Sequence, residues 1–221
     1  MARFITCLLS LVLVLGMAGD VQARSKHKQS QAQDVQAGVF DYYVLTLSWS
    51  PTFCLTNPRN EQCNGKGYGF VLHGLWPQYA NGGWPENCQP DPGLSASDRI
   101  KGRSLFPTEA LLKHEWATHG TCSGLGTAGY LDAADRALGR VKVPAIFEPS
   151  REPHYLQAPE IAELFRQSNP GLPKDGVAVS CRGPELADVR LCLTKDLQPT
   201  SCGKDVRSNC RSGQIRVPGV R

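Results

Sequence analysis

Apolar residues along the chain fall into short runs with two different periods. Residues 39–49, Val-Phe-Asp-Tyr-Tyr-Val-Leu-Thr-Leu-Ser-Trp, are dense in aromatic and β-branched side chains and stop just before Pro51. Such a run reads as a mostly buried strand. Residues 68–72 predict a second strand that delivers His73 at its end, ahead of a turn at Gly74-Leu75-Trp76-Pro77-Gln78. From 81 to 102 the chain is rich in Pro, Gly, Asp and Asn and reads as irregular. A helix is predicted from Pro107, a good first-turn residue, and Gly120 is placed to stop it. Residues 130–141, with Leu131, Ala134 and Leu138 inward, and 159–167, with Ile161, Leu164 and Phe165 inward, predict two further helices. Short strands are expected at 176–181, 188–193 and 214–217. Strands and helices mix without βαβ regularity, so the expected class is α+β: an antiparallel-rich central sheet with helices packed on it.

The amino-terminal end differs from the rest. Met1-Ala2-Arg3-Phe4 precedes an apolar run, Ile5 to Ala18, that is too short to span a bilayer and gives way to Val21-Gln22-Ala23. Residues 1–23 are read as a signal peptide, 24–38 as a disordered polar linker and 39–221 as one domain. No membrane anchor is expected. This reading also resolves the cysteine count. Of nine cysteines, Cys7 falls in the leader, leaving Cys54, Cys63, Cys88, Cys122, Cys181, Cys192, Cys202 and Cys210. Eight cysteines in an exported chain imply a disulfide-stapled fold in the periplasm or the medium, with ~105 possible connectivities. No Cys-x-x-Cys pair argues for zinc, and no Asn-x-Ser/Thr acceptor site is present. A net charge of +4 permits a polyanionic partner without demanding one.

Candidate chemistry concentrates in Lys113-His114-Glu115-Trp116-Ala117-Thr118-His119-Gly120-Thr121-Cys122. On a helix, His114, Thr118, Glu115 and His119 fall in that order across an arc of about 140°, with Leu112 and Trp116 on an apolar stripe beyond it. The two histidines are five apart. The zinc-protease pattern needs i and i+4, so no metal and no cofactor are expected. His73, from a strand end, is the natural partner for this arc, because polar residues where a core strand gives way to a turn are frequent in catalysis. Two imidazoles across a cleft, one neutral and one protonated, suit in-line displacement at phosphorus. Trp76 and Trp84, read as loop residues, suggest stacking on a flat ligand. His27 belongs to the polar tail and His154 to the surface or a minor contact.

Phe70-Val71-Leu72-His73-Gly74-Leu75-Trp76-Pro77 and His114-Glu115-Trp116-Ala117-Thr118-His119-Gly120-Thr121-Cys122 resemble the two active-site signatures of the T2 ribonucleases. The resemblance runs from about Val39 to the C-terminus and takes in Ser48-Trp49-Ser50-Pro51-Thr52-Phe53-Cys54. It implies an exported, metal-independent endoribonuclease, monomeric, that cleaves RNA through its own 2′-OH and leaves DNA intact. It further implies His119 as general base, His73 as general acid, and Glu115 and His114 as the groups holding the phosphate. Trp76, Gln78 and Trp84 become the expected base-binding residues. The family pattern pairs Cys88–Cys122, Cys181–Cys210 and Cys192–Cys202, leaving Cys54 with Cys63. Thr118 stands where the family usually has Lys, and Gln78 where some members carry an acidic residue. Thr118 motivates a rival reading, an RNA-binding module with a weakened active site. A metal-binding protein using the histidines is a third.

Overall fold

The computed structural model describes residues 36–211 and 213–220. The expected leader, 1–23, and residues 24–35 of the expected linker lie outside the described residues. The last linker residues, 36–38, form a turn, and the Gly38 N–H donates to the Cys122 carbonyl at 2.9 Å.

The first strand, β1 (Tyr42–Trp49), is buried along almost its whole length. Tyr43, Leu45, Leu47 and Trp49 enter the main core, while Tyr42 and Val44 pack in a smaller cluster on the other face. Helix α1 (Ser50–Thr56) follows directly. Pro51 sits in its first turn, where a missing N–H costs nothing.

The second strand, β2 (Phe70–Gln78), overturns the expected turn after His73. Gly74 and Pro77 looked like punctuation, yet the strand runs straight through them. It pairs only with β1, at the edge of the sheet, so Pro77 has a side on which no donor is needed. Trp76 is therefore a strand residue, not a loop residue. The register passes from Thr46↔Gly74 to Leu47↔Leu72, which leaves His73 unopposed. This bulge puts His73 and Gly74 consecutively on the face that also carries Trp76 and Ser48.

The sequence continues with α2 (Ala96–Leu105), α3 (Glu109–Thr118) and α4 (Gly126–Arg140). Helix α2 starts inside the stretch read as irregular, through a Ser95/Asp98 capping box whose two hydrogen bonds are 3.1 and 3.0 Å. Helix α3 is capped by Thr108, whose Oγ1 accepts from the Leu111 N–H at 3.1 Å, one residue beyond the expected Pro107 start. Gly120 does not end it in a left-handed conformation. The helix stops at Thr118, and Gly120 opens a 3-10 turn to Cys122. A Cβ on Gly120 would lie 2.4 Å from Trp116 Cε3 and 2.9 Å from Tyr130, so the glycine serves close packing.

A short strand missed in the sequence, β3 (His154–Gln157), precedes α5 (Ala158–Ser168). His154, expected at the surface or in a minor contact, is a half-buried member of that strand. The chain closes with β4 (Val177–Arg182), β5 (Glu185–Leu193) and β6 (Gln214–Val217). Strand β5 lies antiparallel to β1 on one edge and to β4 on the other, setting Asp188 beside Ser48 and Arg190 beside Thr46. Strand β6 touches β5 in parallel at Glu185↔Arg216 and carries β3 antiparallel. Helices α3 and α4 lie against β2, and Leu112, Trp116, Tyr130, Leu131, Ile161 and Phe165 fill the core. The architecture is α+β, with a mostly antiparallel six-stranded sheet under helices.

Four disulfides staple it: Cys54–Cys63, Cys88–Cys122, Cys181–Cys210 and Cys192–Cys202. Cys88–Cys122 ties the irregular stretch after β2 to the turn that follows α3, across 34 residues of chain. Loop-closure entropy gives such a bridge about 4 kcal/mol of stabilisation. Replacing both cysteines by Ala is expected to lower the unfolding free energy by about that amount in urea titrations, leaving the other three bridges formed.

Candidate active site

The polar face of the sheet and one side of α3 meet in a cluster of ionisable groups. Strand alternation puts Ser48 of β1 and Asp188 and Arg190 of β5 on one face, and the bulge adds His73 to it. The Ser48 hydroxyl donates to Asp188 Oδ1 at 2.5 Å and lies 2.9 Å from His73 Nδ1. A hydroxyl that donates to a carboxylate accepts from the imidazole, so Nδ1 carries a proton and Nε2 is turned away from the sheet. Asp188 Oδ1 is 3.8 Å from Nδ1, beyond hydrogen-bond range, and acts on the ring through its charge and through Ser48. Nε2 faces Glu115 Oε1 at 3.5 Å.

Glu115 comes from α3 and is fully buried. Its Oε2 accepts from the Trp76 indole N–H at 2.7 Å, while Oε1 has no hydrogen-bond partner among the described residues. Room for the carboxylate exists because residue 74 is glycine: a Cβ there would fall 2.0 Å from Oε2 and 2.4 Å from Trp76 Nε1. The edge strand, its glycine and the helix carboxylate are thus one packing unit.

His119 caps the C-terminal end of α3 and is 9% exposed, with its Nδ1 buried and unpartnered among the described residues. Its ring lies 5.3 Å from the Trp76 ring, tilted by 35°, and the His73 ring meets the same indole edge-on at 5.2 Å. Trp76 therefore brings the strand histidine and the helix histidine together. His114 is exposed at the rim, 6.4 Å from the His119 ring, with its Nδ1 3.4 Å from Thr118 Oγ1. The arc predicted for His114, Thr118, Glu115 and His119 splits in space. His114 is exposed and Thr118 half-buried, while Glu115 and His119 are buried.

Burial and charge drive the two imidazoles apart. For His119, burial and then the charges of His114 and His73 push the pKa down to about 4, so the ring is neutral near pH 7. For His73, burial also opposes the charge, but Asp188 and Glu115 outweigh it and raise the pKa above its ordinary value. Burial lifts Glu115 to about 7, against the pull of His73 and the Trp76 N–H. Asp188 stays below the usual carboxylate range despite its burial, held there by His73, Ser48 and Arg190.

Gln78 closes β2 and is buried. Trp84 lies on the loop beyond it, half exposed, with its indole N–H donating to Glu86 at 2.6 Å rather than to any site residue. Ser48, Asp188, Arg190 and Gly74 were not singled out in the sequence. Two charges at alternate positions in the middle of a strand, Asp188 and Arg190, were a readable sign of a polar sheet face. Among the described residues no three His, Cys, Asp or Glu side chains gather as a metal site, and no helix is long and apolar enough to cross a membrane.

A family model described as Ribonuclease T2 family matches residues 40–202. The chain is 40% identical over 197 residues to a protein named "Ribonuclease" from Aeromonas hydrophila, covering 87% of this chain and 85% of that one. It is 31% identical to a "Probable ribonuclease" of Haemophilus influenzae, covering 83% and 67%. Among solved structures, an RNase-related protein from Calystegia sepium superposes with a TM-score of 0.66 at 25% identity, covering 81% of this chain and 97% of that one. RNase NT, solved in complex with 5′-AMP, shares the fold with a TM-score of 0.60 at 23% identity, covering 81% and 98%. The histidine segments sit inside the matched region, and the fold that assembles them is shared across these relatives; the chain belongs to the ribonuclease T2 family and is a T2-type endoribonuclease.

Proposed function

We propose that this protein cleaves single-stranded RNA by transesterification, without a metal ion, using His119 as base and His73 as acid. The observation that carries this reading is the packing of two imidazoles on the same indole, in surroundings that raise the pKa of His73 and lower that of His119. Neutral His119 takes the proton of the 2′-OH as O2′ bonds to phosphorus. The P–O5′ bond breaks, and His73, protonated, gives its proton to O5′. The products are a 2′,3′-cyclic phosphate and a 5′-OH. In the second step the roles reverse: neutral His73 takes a proton from water, His119 returns one to O2′, and a 3′-phosphate results. Each proton transfer contributes roughly 10²–10⁴-fold.

Glu115 supports the reading as a buried carboxylate 3.5 Å from His73 Nε2, able to hold the ring and its charge. His114, exposed beside His119, is placed to meet the phosphate. Trp76, Gln78 and Trp84 are the candidate base contacts, and the exposed indole of Trp84 offers the most open stacking face. The need for a 2′-OH makes DNA inert. Four disulfides suit an oxidising compartment, periplasmic or extracellular, and a monomer is expected. The rival reading as a binding module with a weakened site is not favoured, since His73, His119 and Glu115 all contact Trp76.

Product analysis on a mixed-sequence RNA tests the proposal. Cyclic-phosphate ends that turn slowly into 3′-phosphates, at rates unchanged in EDTA, are expected. Metal-dependent turnover, 5′-phosphate products or equal cleavage of DNA would rule the mechanism out.

A further inference from the structure

Transesterification at phosphorus passes through a phosphorane with more negative charge on its non-bridging oxygens than the ground state carries, and a permanent cation stabilises it best. Helix α3 does not place one over the cleft. Its lysine, Lys113, is paired with Glu109 at 3.1 Å, and the side chain between the helix histidines and facing His114 is the neutral Thr118. The opposite wall does hold a cation. Arg190 projects from β5 on the same sheet face as Ser48 and Asp188, with its guanidinium 5.4 Å over the Trp76 ring.

We propose that Arg190 is a catalytic residue that contacts a non-bridging oxygen of the scissile phosphate through its guanidinium N–H groups. The proposal rests on the T2-type reading of the site and adds a phosphate ligand from the sheet to it.

Three observations support it. First, the guanidinium makes no hydrogen bond to any described residue. Its Nε is buried and unpartnered, and its nearest carboxylate oxygen, Asp188 Oδ2, is 3.9 Å from Nη2. An arginine presents five donors, and leaving them unused beside a cleft is costly unless a ligand takes them. Second, the side chain is 30% exposed, so one edge opens toward solvent while the stem is held by packing. Third, the guanidinium lies over the Trp76 indole that meets both imidazoles, a cation–π contact that positions it without using its N–H groups. Arg190 is also close enough for its charge to act on His73. Arg190 and Asp188 form an ion pair at 3.9 Å without a hydrogen bond, which leaves the guanidinium N–H groups available to a ligand.

The test compares Arg190→Gln, Arg190→Ala, Asp188→Asn and the Asp188→Asn/Arg190→Gln pair with the wild-type protein, each checked for folding by circular dichroism and thermal unfolding. Two measurements are made: kcat on a mixed-sequence RNA oligonucleotide, and binding of inorganic phosphate by calorimetry. Arg190→Gln is expected to lower kcat about 10²-fold, the usual effect of removing one preorganised donor from a developing oxyanion. It should also weaken phosphate binding about 10-fold, the effect of one charge-assisted contact. The double variant should be no more active than Arg190→Gln, and added guanidinium ion should partly restore Arg190→Ala. If Asp188→Asn restores the activity of Arg190→Gln, or if phosphate binds equally well without Arg190, the residue merely balances Asp188 and the proposal is overturned. Failure of the T2-type reading looks different: wild-type protein would then not cleave RNA at all, whatever the phosphate affinities show.

Discussion

Replacing His119 by Ala lowers kcat on RNA by about 10²–10⁴-fold, the range for losing one positioned proton transfer. The fold should tolerate the change. His119 lies at the end of α3, and its Nδ1 is buried with no partner among the described residues, so truncation removes an uncompensated polar atom along with some packing. Stability should stay within about 1 kcal/mol of wild type in urea unfolding. Adding His73→Ala should cost far less than the product of the two single losses, because the imidazoles act on the same phosphodiester as a unit. Turnover that survives His119→Ala, in a folded protein, would remove this ring from the chemistry. Multiplicative losses in the double variant would mean the two rings serve separate steps.

A bell-shaped dependence of kcat/KM on pH is the second expected result, with limbs set by the site's electrostatics. Catalysis needs His119 neutral. Its pKa is pushed down to about 4, so activity should rise as pH climbs through about 4 and His119 gives up its proton. Catalysis also needs His73 protonated. Its pKa is raised above the ordinary histidine value, so activity should persist through 6.5 and fall only above it. The alkaline limb belongs to His73 and Glu115 together, 3.5 Å apart, rather than to either group alone. Removing the negative charge with Glu115→Gln makes the His73 cation less favourable, so its pKa drops. The alkaline limb should then move to lower pH by about 1, in line with the loss of one opposite charge at this distance. The acid limb should stay near 4. A limb that stays put in Glu115→Gln would mean that Glu115 does not hold the His73 charge.

Much of the architecture could be read directly from residue order, because it rests on local rules. Aromatic and β-branched density marked β1, and the 3.6-residue period marked α4 and α5 to within a few residues. The errors share a cause. Gly74 and Pro77 carry turn chemistry, yet sheet position overrides it: an edge strand accepts proline, and a glycine is needed where Glu115 crosses. Gly120 was read as a helix stop by its type, while in space it is small so that Trp116 and Tyr130 can approach. Helix α2 was hidden among Pro and Gly neighbours, although its Ser95-to-Asp98 capping box was legible.

The site divides along the same line. Residue spacing alone determined that His114, Thr118, Glu115 and His119 share one arc of a helix, because helical geometry is local. Local order likewise determined that His73 and Trp76 travel on one segment. Only the tertiary structure decided which of these groups are buried and which charges face them: burial drives His119 down to about 4 and lifts Glu115 to about 7, while Asp188 and Glu115 raise His73 against its burial. It alone brought Ser48, Asp188 and Arg190, as many as 142 residues apart in sequence, onto one sheet face beside the indole. Strand pairing is a non-local choice governed by register and core packing, and no stretch of sequence read by itself carries it.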